Sequence, residues 1–198
     1  MRARELDDLQ AMGKDLGVLH GLPMAHKDLT MTEGVRTTFG SPIYADHVPS
    51  SDELLITRLK HAGIVSVGKT NTPEFGAGSQ TFNAIFGATC NPYNLSKTCG
   101  GSSGGAAVAL ATRMVPIADG SDMGGSLRNP ANFCNVVGFR PSTGRVPSWP
   151  SDNAFFSFVL SGGGAFARHR CFGISDAARH RLWWRPSPCA WNKPSSNV

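Results

Sequence analysis

The sequence has no long apolar run and no closely spaced pair of cysteines. None of its hydrophobic segments approaches the roughly 20 residues that a membrane-spanning helix needs. The first residues mix acidic and basic side chains and lack the apolar centre of a secretion signal. The five cysteines form no C-x-x-C pair and leave one over, so neither a disulfide framework nor a zinc site is predicted. These absences predict a cytoplasmic protein with reduced thiols, no membrane contact and no metal.

The net charge of +5 does not predict a nucleic-acid-binding body. Six of the 19 basic residues lie beyond residue 160, against one acidic residue there, so the preceding part of the chain is neutral. A nucleic-acid interface needs its basic residues clustered on the folded surface. We therefore expect no nucleic-acid partner for the main body.

The composition changes at about Val159. The residues that follow hold three of the four tryptophans and show no sustained apolar period. We expect residues 1–158 to form a partial domain and residues 159–198 to be an atypical basic tail, frameshifted or disordered. A basic binding tail is the alternative.

Helical and strand-like patterns alternate along the first 140 residues. Helices are expected over residues 2–16, over 104–114 and from Ser50, where Ser50 and Glu53 fit a capping box. Strands are expected over residues 22–27, 64–67, 115–118 and 135–139. Because strands alternate with helices, an α/β layered fold is predicted.

Two serines lie among glycines, Ser102 in GGSSGG and Ser126 in DMGGS. Glycine lets another group approach the main chain closely. The run from Gly124 to Ser126 can turn its N–H groups toward one point, which is how a developing oxyanion is stabilised. A serine beside such donors is a candidate nucleophile.

A serine hydroxyl needs a base to remove its proton. Histidine is scarce, and the four histidines before residue 160 all lie far upstream of both serines. Lys27 lies in the apolar segment HGLPMAHKD, where burial would favour the neutral amine. Lys27 is therefore a candidate base, whereas His26 is expected to be a packing residue on the opposite face of the strand.

Four motifs, HGLPMAHKD, GKTNTPEF, GGSSGG and GSDMGGSLRNPA, occur in an order and spacing that resemble the amidase signature family over residues 2–158. The resemblance implies a layered α/β/α fold around a mixed β-sheet, incomplete in this chain. It also implies hydrolysis of amide C–N bonds in small molecules without a metal or organic cofactor, and a possible homodimer.

The resemblance also assigns roles to individual residues. Ser126 matches the nucleophile, Ser102 the bridging serine that follows a cis peptide bond, and Lys27 the base. The oxyanion would be held by the backbone N–H groups of Met123, Gly124, Gly125 and Ser126.

Three neighbouring polar residues have less defined roles. Ser103 is expected to form structural hydrogen bonds. Asp122 and Arg128 flank the nucleophile and either orient substrate or form an internal ion pair.

Two other motifs match formally. Residues 63–70, GIVSVGKT, fit a phosphate-binding loop, but IVSV is itself a strand candidate that follows a helix. Residues 100–104 fit the G-x-S-x-G elbow, but the preceding NLSKTC is polar, and the later histidines, His169 and His180, lie in the tail. Neither motif is adopted.

We expect the chain to be an amidase fragment, truncated at both ends and nearly inactive by itself. The alternative is a catalytically silent paralogue or pseudogene product. The glutamine-hydrolysing subunit of a tRNA amidotransferase is a further alternative. The sequence does not define which amide is the substrate.

Overall fold

The structure is a computed structural model that describes residues 2–142, 144–150 and 164–167. Its α-helices are α1 (Arg2–Ala11), α2 (Leu54–His61), α3 (Gly104–Ala111) and α4 (Arg128–Phe133), and two short 3-10 helices cover Pro42–Tyr44 and Glu74–Gly76. Its strands are β1 (Pro23–Lys27), β2 (Val65–Thr70), β3 (Phe82–Asn83), β4 (Gly87–Ala88), β5 (Cys90–Asn91), β6 (Asn94–Thr98), β7 (Ile117–Gly120), β8 (Val137–Phe139) and β9 (Gly164–Ala167).

A mixed sheet of five strands, in the order β2-β1-β7-β9-β8, forms the centre of the described part. β1 pairs in parallel with both β2 and β7, whereas β9 is antiparallel to β7 and to β8. The expected α/β fold around a mixed sheet is confirmed. Because β1, β2 and β7 run in parallel, their carboxyl ends meet at one edge of the sheet.

Two buried clusters cover the sheet. One contains Ala25, Leu110, Ala118 and Leu127 and includes the small residues of α3. The other contains Met24, Ile56 and Ile117. Successive residues of β1 and β7 therefore alternate between the clusters, as expected for strands buried on both faces.

The small residues of α3 allow a close backbone approach. A Cβ added at Gly105 would lie 2.3 Å from the Asn71 backbone nitrogen, and Gly105 N–H donates to Asn71 O (3.2 Å). The helix can therefore reach the segment after β2 only with glycine at this position.

The expected elements are present with shifted limits. α1 ends at Ala11 rather than at residue 16, before Gly13 with φ of 70°. The capping box at Ser50 is wrong, because α2 begins at Leu54 with Glu53 at its N-cap and no side-chain cap. The Glu53 carboxylate instead accepts the Met31 N–H (3.2 Å).

The Gly-Lys-Thr sequence of the formal phosphate-binding motif lies inside β2, where all three residues pair with β1. A phosphate-binding loop needs free N–H groups that converge after a strand. The reason for not adopting this motif is thus confirmed.

β9 lies within the tail, where no strand period is predicted. It pairs with β7 from Ile117↔Ala167 to Gly120↔Gly164. The physical reason is that β7 would otherwise present unpaired N–H and C=O groups on this side, and the backbone of a short segment without proline can satisfy them. The expected boundary at residue 158 and the rest of the tail lie outside the described residues.

In the part of the chain that the structure describes, no helix is both long enough and apolar enough to cross a membrane. Within the same part, Cys90, Cys99 and Cys134 are free thiols.

Candidate active site

Lys27 is the last residue of β1, and Ser121 directly follows β7, the strand parallel to it. The register pairs Ala25 with Ala118, so the two strands end side by side. The parallel topology therefore brings Lys27 to the edge where the loop containing Ser126 begins.

The Lys27 ammonium is surrounded by hydroxyl groups. Its Nζ lies 2.7 Å from Ser102 Oγ, 2.9 Å from Ser103 Oγ and 2.8 Å from Ser121 Oγ. Lys27 is 1% exposed. A buried amine with three neutral hydroxyl partners is well placed for exchanging protons with them.

Burial lowers the pKa of Lys27 from 10.5 to about 7. Desolvation disfavours the charged ammonium and outweighs the attraction of the Asp119 and Asp122 carboxylates, which raises the pKa. Near neutral pH a large share of Lys27 is thus a neutral amine with a free lone pair.

Ser102 and Ser103 lie at the start of α3, and the Gly101–Ser102 peptide bond is cis, as the resemblance implies. Ser103 Oγ donates to Ser121 O (3.2 Å) and accepts the Ser121 N–H (3.2 Å). The Ser103 hydroxyl proton is already donated to the Ser121 carbonyl oxygen. Toward Lys27, Ser103 can therefore only accept a hydrogen bond from the amine. Ser102 and Ser121 are the hydroxyls that can give a proton to the amine.

Ser126 is half-buried in the loop between β7 and α4. Its carbonyl oxygen accepts the Ser103 N–H (3.1 Å), which ties the two serine-containing loops together. Among the described residues, however, the hydroxyl partners of the Lys27 amine are Ser102, Ser103 and Ser121 and do not include Ser126. The structure thus brings Lys27 and Ser102 into contact and connects Ser126 to them through the backbone.

Asp122 and Arg128 form an internal ion pair, which is one of the two roles expected for them. Arg128 donates to both oxygens of Asp122, with Nε at 3.0 Å and an NH2 group at 2.9 Å. The Asp122 carboxylate also accepts the N–H groups of Gly125 (2.8 Å) and Leu127 (3.0 Å). These contacts hold the Ser126 loop from inside.

Burial alone would raise the pKa of Asp122. The hydrogen bonds from Arg128 and from the backbone N–H groups outweigh that effect and hold the pKa well below its usual range. Asp122 is therefore a charged, structural centre of the loop.

For Gly125 the structure differs from the expected oxyanion site. Its N–H donates to Asp122 and thus points into the loop. The N–H groups of Met123, Gly124 and Ser126 remain as candidate donors, and Met123 and Gly124 are exposed. The Gly125 N–H binds the buried Asp122 carboxylate because a charged carboxylate is a stronger hydrogen-bond acceptor than water.

The chain is similar to known proteins over most of its length. The family model described as Amidase matches residues 1–171. The chain belongs to the amidase signature family. A glutamyl-tRNA(Gln) amidotransferase subunit of Moorella thermoacetica is 52% identical over 144 residues, which cover 73% of this chain and 30% of that protein.

Two solved amidase structures are also similar. A bacterial aryl acylamidase of the amidase signature family has 36% identity and a TM-score of 0.80, over 89% of this chain and 36% of that one. The peptide amidase of Stenotrophomonas maltophilia has 31% identity and a TM-score of 0.77, over 93% and 38% of the two chains. The chain spans about 30% of the length of the curated relatives that it matches.

Sequence reasoning missed the contacts of three polar residues at this candidate site. Ser121 contacts Lys27, and Asp119 accepts the Lys27 N–H (2.7 Å). His26 is buried as expected, but its ring hydrogen-bonds to Asp119 (2.5 Å) rather than only packing. The strand order would have revealed Ser121 and Asp119, because both lie on or directly after the strand beside Lys27. Among the described residues, no group of three or more His, Cys, Asp or Glu side chains is placed to hold a metal ion.

Proposed function

We propose that this chain carries the proton relay of an amide hydrolase, with Lys27 as base, Ser102 as bridge and Ser126 as nucleophile. The hydrogen bond between Lys27 Nζ and Ser102 Oγ, at 2.7 Å, carries the proposal. A neutral amine has one lone pair and two N–H groups. It can accept the Ser102 proton while donating to the Ser103 and Ser121 hydroxyls, so all three contacts are used.

In the first half-reaction Lys27 takes the proton of Ser102, and Ser102 takes the proton of Ser126. Ser126 Oγ then forms a bond to the carboxamide carbon, and the carbonyl electron pair moves to its oxygen. The N–H groups of Met123, Gly124 and Ser126 stabilise this oxyanion. When the C–N bond breaks, the relay returns a proton to the leaving nitrogen, and ammonia or an amine departs.

In the second half-reaction water attacks the ester that joins the acyl group to Ser126. The relay accepts a proton from the water and returns one to Ser126 Oγ, which releases the carboxylate. Each step uses the same three side chains, so their loss should affect acylation and deacylation together.

Labelling with a fluorophosphonate probe tests the assignment without a known substrate. The chain is joined for this test to the C-terminal half of a relative such as the Moorella thermoacetica subunit, because the 198-residue chain is expected to be nearly inactive by itself. We expect the label to map to Ser126 and to be absent from Ser126→Ala, with roughly 10³-fold or greater losses of labelling rate in Ser102→Ala and Lys27→Ala. Ser96→Ala, at an exposed serine of β6, is the matched control and should label normally. Label on Ser103, no label at all, or normal labelling of Lys27→Ala would overturn the proposal.

A second candidate is hydrolysis of glutamine within an amidotransferase. It is favoured by relatives such as the Moorella thermoacetica amidotransferase subunit. Turnover of L-glutamine in preference to simple aryl and aliphatic amides would support it, whereas turnover of the simple amides alone would support a small-molecule amidase. The homodimer, the cytoplasmic location and the absence of a cofactor remain predictions.

A further inference from the structure

A chain of hydrogen bonds crosses three strands beneath Lys27. Oδ1 of Asp119, on β7, accepts a hydrogen bond from the backbone N–H of Lys27 (2.7 Å). Oδ2 of the same carboxylate contacts His26 Nδ1 (2.5 Å). His26 Nε2 in turn lies 2.8 Å from Ser66 Oγ on β2. His26 and Asp119 are 1% and 3% exposed, so this network is buried within the sheet.

The partners define where the protons lie. A carboxylate only accepts hydrogen bonds, so His26 Nδ1 must carry a proton toward Asp119. Nε2 then accepts the Ser66 hydroxyl proton in the neutral ring, or donates to Ser66 Oγ in the imidazolium. In either form both ring nitrogens of His26 and both oxygens of Asp119 are satisfied, which is what buried polar groups require.

This network acts on Lys27 in two ways. In a regular pair of parallel strands, a carbonyl of the neighbouring strand would accept the backbone N–H of Lys27. Here the Asp119 side chain accepts it instead. The Asp119 carboxylate thus fixes the main chain from which the Lys27 amine reaches Ser102. It also places a negative charge near that amine, and its attraction opposes the effect of burial on the Lys27 pKa.

We propose that Asp119 is a positioning residue that holds the Lys27 end of β1 and sets the charge beside its amine, and that the Nδ1–H of His26 holds Asp119 and, through this hydrogen bond, weakens the attraction of the carboxylate for the amine. The proposal rests on the proposed function only for the role of Lys27 as base.

The same residue types occur in nucleophilic Ser-His-Asp triads. Ser66, however, lies inside β2, opposite Met24, and not on a turn where N–H groups could converge on an oxyanion. The positioning role is therefore favoured, and a reactive Ser66 becomes an outcome that the experiment can detect.

Other charged groups also face this region. Asp122 acts on Lys27 from the loop after β7. The Asp119 charge also raises the pKa of two other groups, Lys69 of β2 and Glu53 of the segment before α2. Asp28 follows Lys27 but acts on Lys69, and its carboxylate binds the Thr38 N–H (3.0 Å). A test must therefore separate Asp119 from these neighbours.

Asp28→Asn is a matched control for Asp119→Asn, because both remove one charge from a buried carboxylate next to Lys27. The 198-residue chain is prepared with isotope-labelled lysine, and the Lys27 side-chain resonance is titrated by NMR after assignment with Lys27→Met. We expect Asp119→Asn to lower the Lys27 midpoint and His26→Ala to raise it, each by on the order of one pH unit. Asp28→Asn should leave the midpoint in place.

His26→Gln is the conservative variant, since its amide can still donate to Asp119, and it should reverse most of the shift seen in His26→Ala. If Asp119→Asn does not fold, the two His26 variants decide the question. Unchanged midpoints, shifts in the same direction for Asp119→Asn and His26→Ala, or an equal shift in Asp28→Asn would overturn the proposal.

The titration needs no turnover, so a chain without hydrolase activity still gives a result for Asp119 and His26. Fluorophosphonate label on Ser66 in Ser126→Ala would overturn the positioning role and indicate a second nucleophile.

Discussion

Lys27 Nζ and Ser102 Oγ lie 75 residues apart in the sequence and 2.7 Å apart in the structure. Lys27 comes from the end of a buried strand, and Ser102 from the loop that begins α3. Each element is fixed by its own packing, so the contact is prepared before any substrate binds. Such preorganisation is what a proton relay needs, because small misplacements of its members reduce the rate strongly.

The first prediction concerns the pH dependence of Ser126 labelling. The proposed base acts as a neutral amine, and burial lowers the pKa of Lys27 to about 7. The labelling rate should therefore fall as the pH drops below about 7 and level off above it. Lys27→Arg should not restore labelling, since a guanidinium keeps its proton. A profile that is flat from about pH 5 to about pH 9 would contradict a lysine base.

The resemblance carried by the four motifs implied that Lys27 acts on Ser102, but it did not imply the third hydroxyl. Local patterns alone, namely glycine-flanked serines and an apolar segment around one lysine, mark these residues as candidates without placing them in contact. Ser121 and Asp119 become neighbours of Lys27 only because β7 pairs with β1. That pairing is a property of the strand order, which local periodicity does not contain.

Two of the expectations from sequence, the capping box and the Gly125 donor, meet competition from a carboxylate. Ser50 and Glu53 have the spacing of a capping box, but the Glu53 carboxylate binds the Met31 N–H. The Gly125 N–H was expected at the oxyanion, but it donates to Asp122. In both cases a carboxylate forms a hydrogen bond that the local pattern does not specify.

The second prediction concerns Asp122. Asp122→Asn should destabilise the chain by about 3 kcal/mol, because the amide cannot accept all the hydrogen bonds that Arg128, Gly125 and Leu127 donate to the buried carboxylate. The pKa of Asp122 lies below its ordinary value of 3.8, so the advantage of the wild type is complete above that pH and is lost as the pH falls further.

Chemical denaturation of both proteins at about pH 7 and about pH 3 measures the Asp122 effect. Arg128→Gln is the control, since the Arg128 side chain is 53% exposed and its loss leaves the backbone donors in place. Equal stability of Asp122→Asn and wild type at neutral pH would show that the hydrogen bonds of the Asp122 carboxylate do not hold the loop.

The third prediction concerns the approach of α3 to the segment after β2. Gly105→Ala should lower the free energy of unfolding by at least about 1–3 kcal/mol, because the new Cβ would lie 2.3 Å from a backbone nitrogen that cannot move alone. Gly124→Ala is the control for stability, since no atom lies within 4 Å of a Cβ at that position. Thermal melts that rank the two variants in the opposite order would refute the close packing.

The last prediction concerns the stability cost of keeping Lys27 buried. Its pKa is about 7 in the folded chain and 10.5 as the ordinary value, so between these pH values the unfolded chain binds more protons at this residue than the folded chain does. The contribution of Lys27 to stability is therefore greatest above pH 10.5, decreases as the pH falls from 10.5 to 7, and stays constant below pH 7.

Lys27→Met removes this titration and keeps an unbranched side chain of similar length. The free energy of unfolding of Lys27→Met minus that of wild type should thus increase by about 1.4 kcal/mol for each pH unit as the pH is lowered from about 9.5 toward 7. Denaturant titrations at several pH values give this difference directly, and effects of Lys69 and other groups cancel between the two proteins. A difference that does not change with pH would mean that Lys27 keeps its ordinary pKa in the folded chain, and it could not then be a neutral base near neutral pH.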